Sequence, residues 1–159
     1  PGPKYALIQD AASGLITYSH PFQLSPSGSL YSQGVAAGPL IKGQVIYQTE
    51  VASFVNAAIA SDIARSSVAG IALGAAAPGS PVDLQTSGEL SMKAVEWELI
   101  TGLTTGLMVG SRYFLSCDQA GGLTDSLTSF SSGCLVVQIG VAVSQTKLRL
   151  LFGSPIMLS

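Results

Sequence analysis

Few side chains in this 159-residue sequence could do chemistry, and their spacing limits what that chemistry would be. His20 is the only histidine, so a site of two or three imidazoles cannot be built within one chain. It stands before Pro21 at the end of a short apolar run and reads as a structural or surface residue. As a base it would need a nucleophile brought to it by folding, and no motif places one. Paired carboxylates are the material of glycoside hydrolysis. Here Glu96 and Glu98 flank Trp97, and Asp118 and Asp125 flank an Ala-Gly-Gly-Leu-Thr turn; the first pair reads equally as a solvated edge. Asp62 with Asp83, or Asp118 with Asp125, would hold calcium only with help from main-chain oxygens, and no EF-hand spacing is present. Gly121-Gly122 lacks the strand-to-helix setting in which several N–H groups converge on phosphate. Gly70-Ile-Ala-Leu-Gly74 lacks the serine of a nucleophile elbow. No catalytic, cofactor or metal residue is assigned, and the expectation is a protein that is not an enzyme.

The aromatic residues leave two uses open. Tyr5, Tyr18, Tyr31, Tyr47, Tyr113 and Trp97 could form a platform for sugar, but aromatics this widely spaced serve more often as core or interface anchors. Tyr5, Leu7, Phe22, Tyr31, Trp97 and Tyr113 are the expected interface residues. Cys117 and Cys134 could pair only if the strands carrying them lie side by side, and two cysteines in a chain of this size read as free thiols.

The elements that would position these residues are strands. Leu107–Leu150 has branched and aromatic residues in strand-length runs separated by glycine and serine, the pattern of a β-meander. Val82 and Leu84 alternate with Asp83 and Gln85, as in a half-buried strand, and Pro78-Gly79 suits a type II turn. Residues 51–65 read two ways: their alanines, with Val51, Val55, Ile59 and Ile63 four apart, favour helix, while Val51, Phe54 and Val55 suit a strand ending at Asn56; the expectation is the strand, followed by a helical turn near Ser61 to Arg65. Ala94, Trp97 and Ile100 predict a short helix that lays the indole on the sheet and stops by Gly102.

Two blocks echo each other. Residues 38–48 resemble 105–116, with Gly43 opposite Gly110 and Tyr47 opposite Phe114. Residues 66–73 resemble 134–143, with Gly70 opposite Gly140 and Ala72 opposite Ala142. The expected fold is all-β: a small β-barrel or β-sandwich built from two related β-units, with an extended N-terminal arm. Residues 1–35 would be arm and short strands, 36–105 the first unit and 106–159 the second, packed as one compact domain. In the arm, short strands are predicted at Tyr5–Ile8 and Leu15–Ser19, and the segment from Phe22 to Gly34 as a loop whose Phe22, Leu24, Leu30 and Tyr31 pack on something.

Composition narrows the function classes. Charged residues are 10% of the chain, against roughly 25% in an ordinary domain, and the mean hydropathy is +0.47. Such a surface suits burial against neighbouring protein. A net charge of −2 with scattered lysines and arginines argues against nucleic acid. Apolar runs are broken well before about 18 residues, which argues against a membrane span. The opening residues lack the basic and apolar regions of a secretory signal.

SRYFLS (111–116), AGGLT (120–124), VVQIGVAVS (136–144), VAGIAL (68–73) and PGSPVDLQTSG (78–88) together resemble, in wording and order, tailed-bacteriophage virion proteins of the capsid decoration, or cement, type. Related modules occur in phage fibre and tail proteins. The resemblance covers about residues 40–150. It implies a non-enzymatic, β-rich structural protein, often a homotrimer, on the outer capsid surface of the virion. There it would bridge major capsid proteins and stabilise the assembled shell. The N-terminal arm would lie across a neighbour. The second reading is a fibre or tail-associated module that attaches to a host surface, such as carbohydrate, through a wet aromatic groove near Trp97 or Tyr113.

Overall fold

A computed structural model describes residues 9–11, 14–15, 23–24 and 30–157. In chain order the elements are β1 (Gln9–Ala11), β2 (Gly14–Leu15), β3 (Gln23–Leu24), β4 (Leu30–Ala36), β5 (Val45–Gln48), β6 (Phe54–Ala57), a 3-10 turn (Ile63–Arg65), β7 (Val68–Ala72) and β8 (Pro81–Gln85). They are followed by β9 (Glu89–Ser91), α1 (Ala94–Thr101), β10 (Arg112–Leu115), β11 (Leu123–Thr124), β12 (Leu135–Val136), β13 (Gln138–Ala142), β14 (Lys147–Leu150) and β15 (Ile156–Met157). The fold is all-β, with a closed five-stranded barrel.

The barrel is β4-β6-β5-β7-β8, closed because β4 pairs parallel with β6 and antiparallel with β8. Its interior holds Ala36, Leu40, Ile46, Val55, Ala72, Val82 and Leu84. The residues next in sequence, Val45 and Ile71, point the other way and join a larger core with the second sheet. This is the period-two alternation of a strand that separates two cores. The second sheet runs β11-β10-β13-β14-β9.

The sequence echo is present as geometry. β5 meets β7 through Val45–Ile71, Ile46–Gly70 and, past a bulge, Tyr47–Val68. β10 meets β13 through Arg112–Val141, Tyr113–Gly140 and, past a bulge at the same step, Phe114–Gln138. A side chain on Gly70 would sit 3.0 Å from the Gln85 carbonyl oxygen, and one on Gly140 would collide with that of Arg149. Ala72 faces Leu84 as Ala142 faces Leu148, so Gln85 and Arg149 are themselves counterparts. The turns are alike in how they open and close, although the β10–β11 turn is one residue longer. Thr49 N–H donates to Phe54 O and Ser116 N–H to Gly122 O, each at 2.9 Å. The hydroxyls of Thr49 and Ser116 accept main-chain N–H groups inside their turns. Ser53 and Gly121 close them with positive φ of 72° and 76°.

The units part at the barrel seam. β9 pairs with β14 in the register that β4 uses on β8, with Leu90 opposite Leu148 as Ser32 is opposite Leu84. β4 continues to β6, whereas the chain after β9 turns into α1 at Ala94 and never reaches β11 as a strand. Trp97 and Ile100 fill the opening from the helix, and the indole N–H donates to Thr146 O at 3.0 Å. Gly102, left-handed, ends the helix.

Several expectations shift. Residues 30–36 are the strand that closes the barrel, not part of an arm or loop; their serine and glycine content reads as loop, but two long-range pairings override it. Gly34 is needed there, since a Cβ would meet Val55 at 2.9 Å. Residues 89–101 belong with the second sheet, so the division between units falls just after β8 rather than at 105. Before β4, the described pieces are a β1–β2 pairing and β3, which pairs with β4. Cys117 and Cys134 are not free thiols. The fold brings their Cα atoms to 6.0 Å and they form a disulfide.

Candidate interaction surface

The acidic residues do not converge. Among the described residues, no group of three or more His, Cys, Asp or Glu could hold a metal ion. Asp62 caps the 3-10 turn by accepting Ala64 N–H at 2.9 Å, while Asp83 accepts Gln33 Nε2–H at 3.1 Å, so the two have separate local tasks. Glu96 accepts the Lys93 N–H at 3.0 Å at the start of α1 and pairs with Lys42 at 3.4 Å. The main-chain hydrogen bond from Lys93, aided by Lys42, holds its carboxyl below the usual value against a smaller opposing effect of desolvation. An open groove of about 370 Å³ lies here between the units, lined by Lys42, Ser91, Met92, Lys93, Glu96 and Thr146. Its glutamate is already engaged by a lysine.

The expected aromatic anchors divide. Trp97 and Tyr113 are each 0% exposed and are core residues, so neither offers surface to a partner or sugar. Tyr113 sits in the second unit where Ile46 sits in the barrel, and its hydroxyl accepts Met108 N–H at 2.9 Å. Burial pushes its phenol above the ordinary value, with the Met108 hydrogen bond acting the other way. Tyr31 is half-buried on β4 opposite Gln85. Tyr47 is half-buried under the Arg65 guanidinium, 5.7 Å from its ring centre. Tyr5, Leu7, Phe22 and His20 lie outside the described residues.

What the surface does offer is aliphatic. Val95 and Leu99 lie one helical turn apart on the outer side of α1, 67% and 63% exposed. Met108 and Val109 form the turn into β10, and Ile41 occupies the matching turn before β5. Val51 tips the β5–β6 turn, Ile63 projects from the 3-10 turn, and Ile156 and Met157 lie exposed on β15. Among the described residues no aromatic side chain belongs to this exposed set. Sequence reasoning missed these positions because they lie in turns and on a short helix, where apolar periodicity is too brief to register; the signal available was the low charge. No helix among the described residues is long and apolar enough to cross a membrane.

No family model matches the chain, and no curated protein matches it. Its surface and fold must therefore carry the functional reading.

Proposed function

We propose that the chain is a non-enzymatic virion structural protein of the capsid decoration type. It binds an assembled shell from outside and stabilises it by bridging major capsid proteins. The observation that carries this reading is the aliphatic character of the exposed apolar side chains, together with the low charge. Exposed aliphatic side chains gain free energy when pressed against protein, at about 25 cal/mol per Å² removed from water. Sugar recognition draws instead on exposed aromatic faces, and the burial of Trp97 and Tyr113 weighs against the fibre-attachment alternative. The disulfide supports a setting outside a reducing cytoplasm, such as a released particle.

Many weak sites on one lattice turn modest contacts into firm retention, and binding only the assembled state stabilises that state by linkage. The test is co-sedimentation of the purified chain with shells lacking it, set beside unassembled capsid protein and immobilised glycans. Binding to shells with a rise in their heat resistance is expected. Binding to glycans with no affinity for shells would move the protein to the attachment class.

A further inference from the structure

The contact that joins the two units has a direction. The second unit supplies the β10–β11 turn, and the first supplies the start of β5 and the chain just past β6. Gly121 N–H donates to Ala58 O at 2.6 Å, Val45 N–H donates to Gly121 O at 3.0 Å, and Ala60 N–H donates to Ser116 O at 2.9 Å. The fit is close enough that a Cβ on Gly121 would stand 2.8 Å from the Cβ of Gln44. Gly121, Val45, Ala58 and Ala60 are all buried.

The β10–β11 turn and the start of β5 each have a counterpart elsewhere in the molecule, and among the described residues these two counterparts are open. The β5–β6 turn repeats the hydroxyl cap and the left-handed closing residue of the β10–β11 turn, yet Glu50, Val51, Ala52 and Ser53 are exposed, Val51 at 62%. The start of β10 repeats the start of β5 down to the flanking hydrogen bonds: Gly110 N–H to Ala142 O matches Gly43 N–H to Ala72 O, each at 2.8 Å. Gly43 is packed tightly against Met92, but among the described residues nothing lies within 4 Å of a Cβ on Gly110, and Arg112 is exposed where Val45 is buried. Each chain thus ends in an unused turn on one unit and an unused docking edge on the other.

We propose that these two surfaces meet between chains: a second copy docks its β5–β6 turn, residues 49–53, against the start of β10. The step between copies then repeats the step between units, in a head-to-tail contact. Charge complements shape. The turn carries one acid, Glu50, and the edge carries one base, Arg112, and among the described residues neither forms an ion pair within the chain. Glycine at 121 and serine at 53 share a positive φ that serine holds against its preference, so the closing residue of the free turn, which is one residue shorter, already has the form of the docked one. The inference rests on the repeat and not on the capsid reading, and it is tested on the pure chain.

The equivalence of Ser53 with Gly121 and of Ser111 with Gln44 puts residues 53 and 111 of different copies within disulfide reach. Full-length chains bearing Ser53→Cys or Ser111→Cys alone, with the native disulfide intact, are mixed and mildly oxidised. Cross-linked dimers pairing one variant with the other are expected to exceed both self-pairs several-fold. Equal yields of mixed and self-paired dimers, or no cross-link over a full concentration series, would overturn the proposal. A second arm needs no new cysteine. In sedimentation velocity, Arg112→Glu and Glu50→Arg should each weaken self-association roughly tenfold, and the two together should restore it. Self-association that neither reversal changes would count against the contact.

Discussion

The barrel and the second sheet share strand register, bulge position, the close approach at Gly70 and Gly140 and the capping of one turn, yet they handle their open edge differently. The barrel closes on itself because β4 is long enough to reach both β8 and β6. The second unit has a three-residue β9 in place of β4 and seals the gap with α1, whose Trp97 and Ile100 supply the apolar volume. It also carries the disulfide, which ties the end of β10 to the chain before β12 and spans the excursion that contains β11. An open edge leaves main-chain groups and apolar surface to be covered, and strand closure or a packed helix are two answers to the same need. The comparison teaches that a repeated unit keeps its turns and register while its edge treatment is free to change.

The largest expected effect tests the helix as a seal. Trp97→Ala removes a wholly buried ring and should cost about 3–5 kcal/mol. Chemical denaturation would register the loss, and amide exchange should rise in β9–β14 before it rises in the barrel. A cost below about 1 kcal/mol would mean that α1 only decorates the sheet. Next is the cross-link. Replacing both Cys117 and Cys134 with alanine frees a 17-residue separation and should lower stability by about 3 kcal/mol, with exchange increasing within 118–133 while β4–β8 stay protected.

A smaller effect, of opposite sign, sharpens the match between turns. Ser53→Gly relieves a non-glycine residue at φ 72° and should raise stability by about 0.5–1 kcal/mol. Gly121→Ala at the equivalent place should destabilise, because it adds both strain and an overlap with Gln44. The smallest effect is in pH. Glu96 has a lowered pKa in the folded chain, so its contribution is present above the ordinary value of 4.5 and fades as pH falls through the folded value. Carboxyl titration by NMR should place its midpoint below the ordinary value of 4.5. Lys42→Ala should move the midpoint only part of the way back, since the Lys93 main-chain bond is the larger cause.

Local signals made much of this fold legible. Aromatic residues marked β10 and branched ones β13, and Pro78-Gly79 forms its expected turn, with Gly79 at φ 85° and Ser80 N–H bonded to Ala77 O. The spacing of Ala94, Trp97 and Ile100 gave α1, and Gly102 its stop. The echo of Gly70 in Gly140 marked a close backbone approach, as the paired carbonyls of Gln85 and Arg149 bear out. What stayed hidden depends on partners far along the chain. β4 becomes a strand only because β6 and β8 receive it, and the cysteines meet only after β10 and the residues before β12 are placed. Gln85 falls on the face that alternation assigns to solvent, yet it is buried where the barrel meets the second sheet and donates to Ser87 and Glu89 carbonyls. The candidate surface was legible only as a deficit of charge: Trp97 and Tyr113, the aromatic residues that drew attention, were drawn into the core, and the exposed contacts fell to aliphatic residues in turns.

An electron cryomicroscopy map of the native particle carrying this chain tests the functional proposal most directly. Density for the two-unit body repeated at capsomer junctions on the outer shell, with its aliphatic turns against capsid protein, is the result the account predicts. Density confined to a vertex, the tail or a fibre would contradict it.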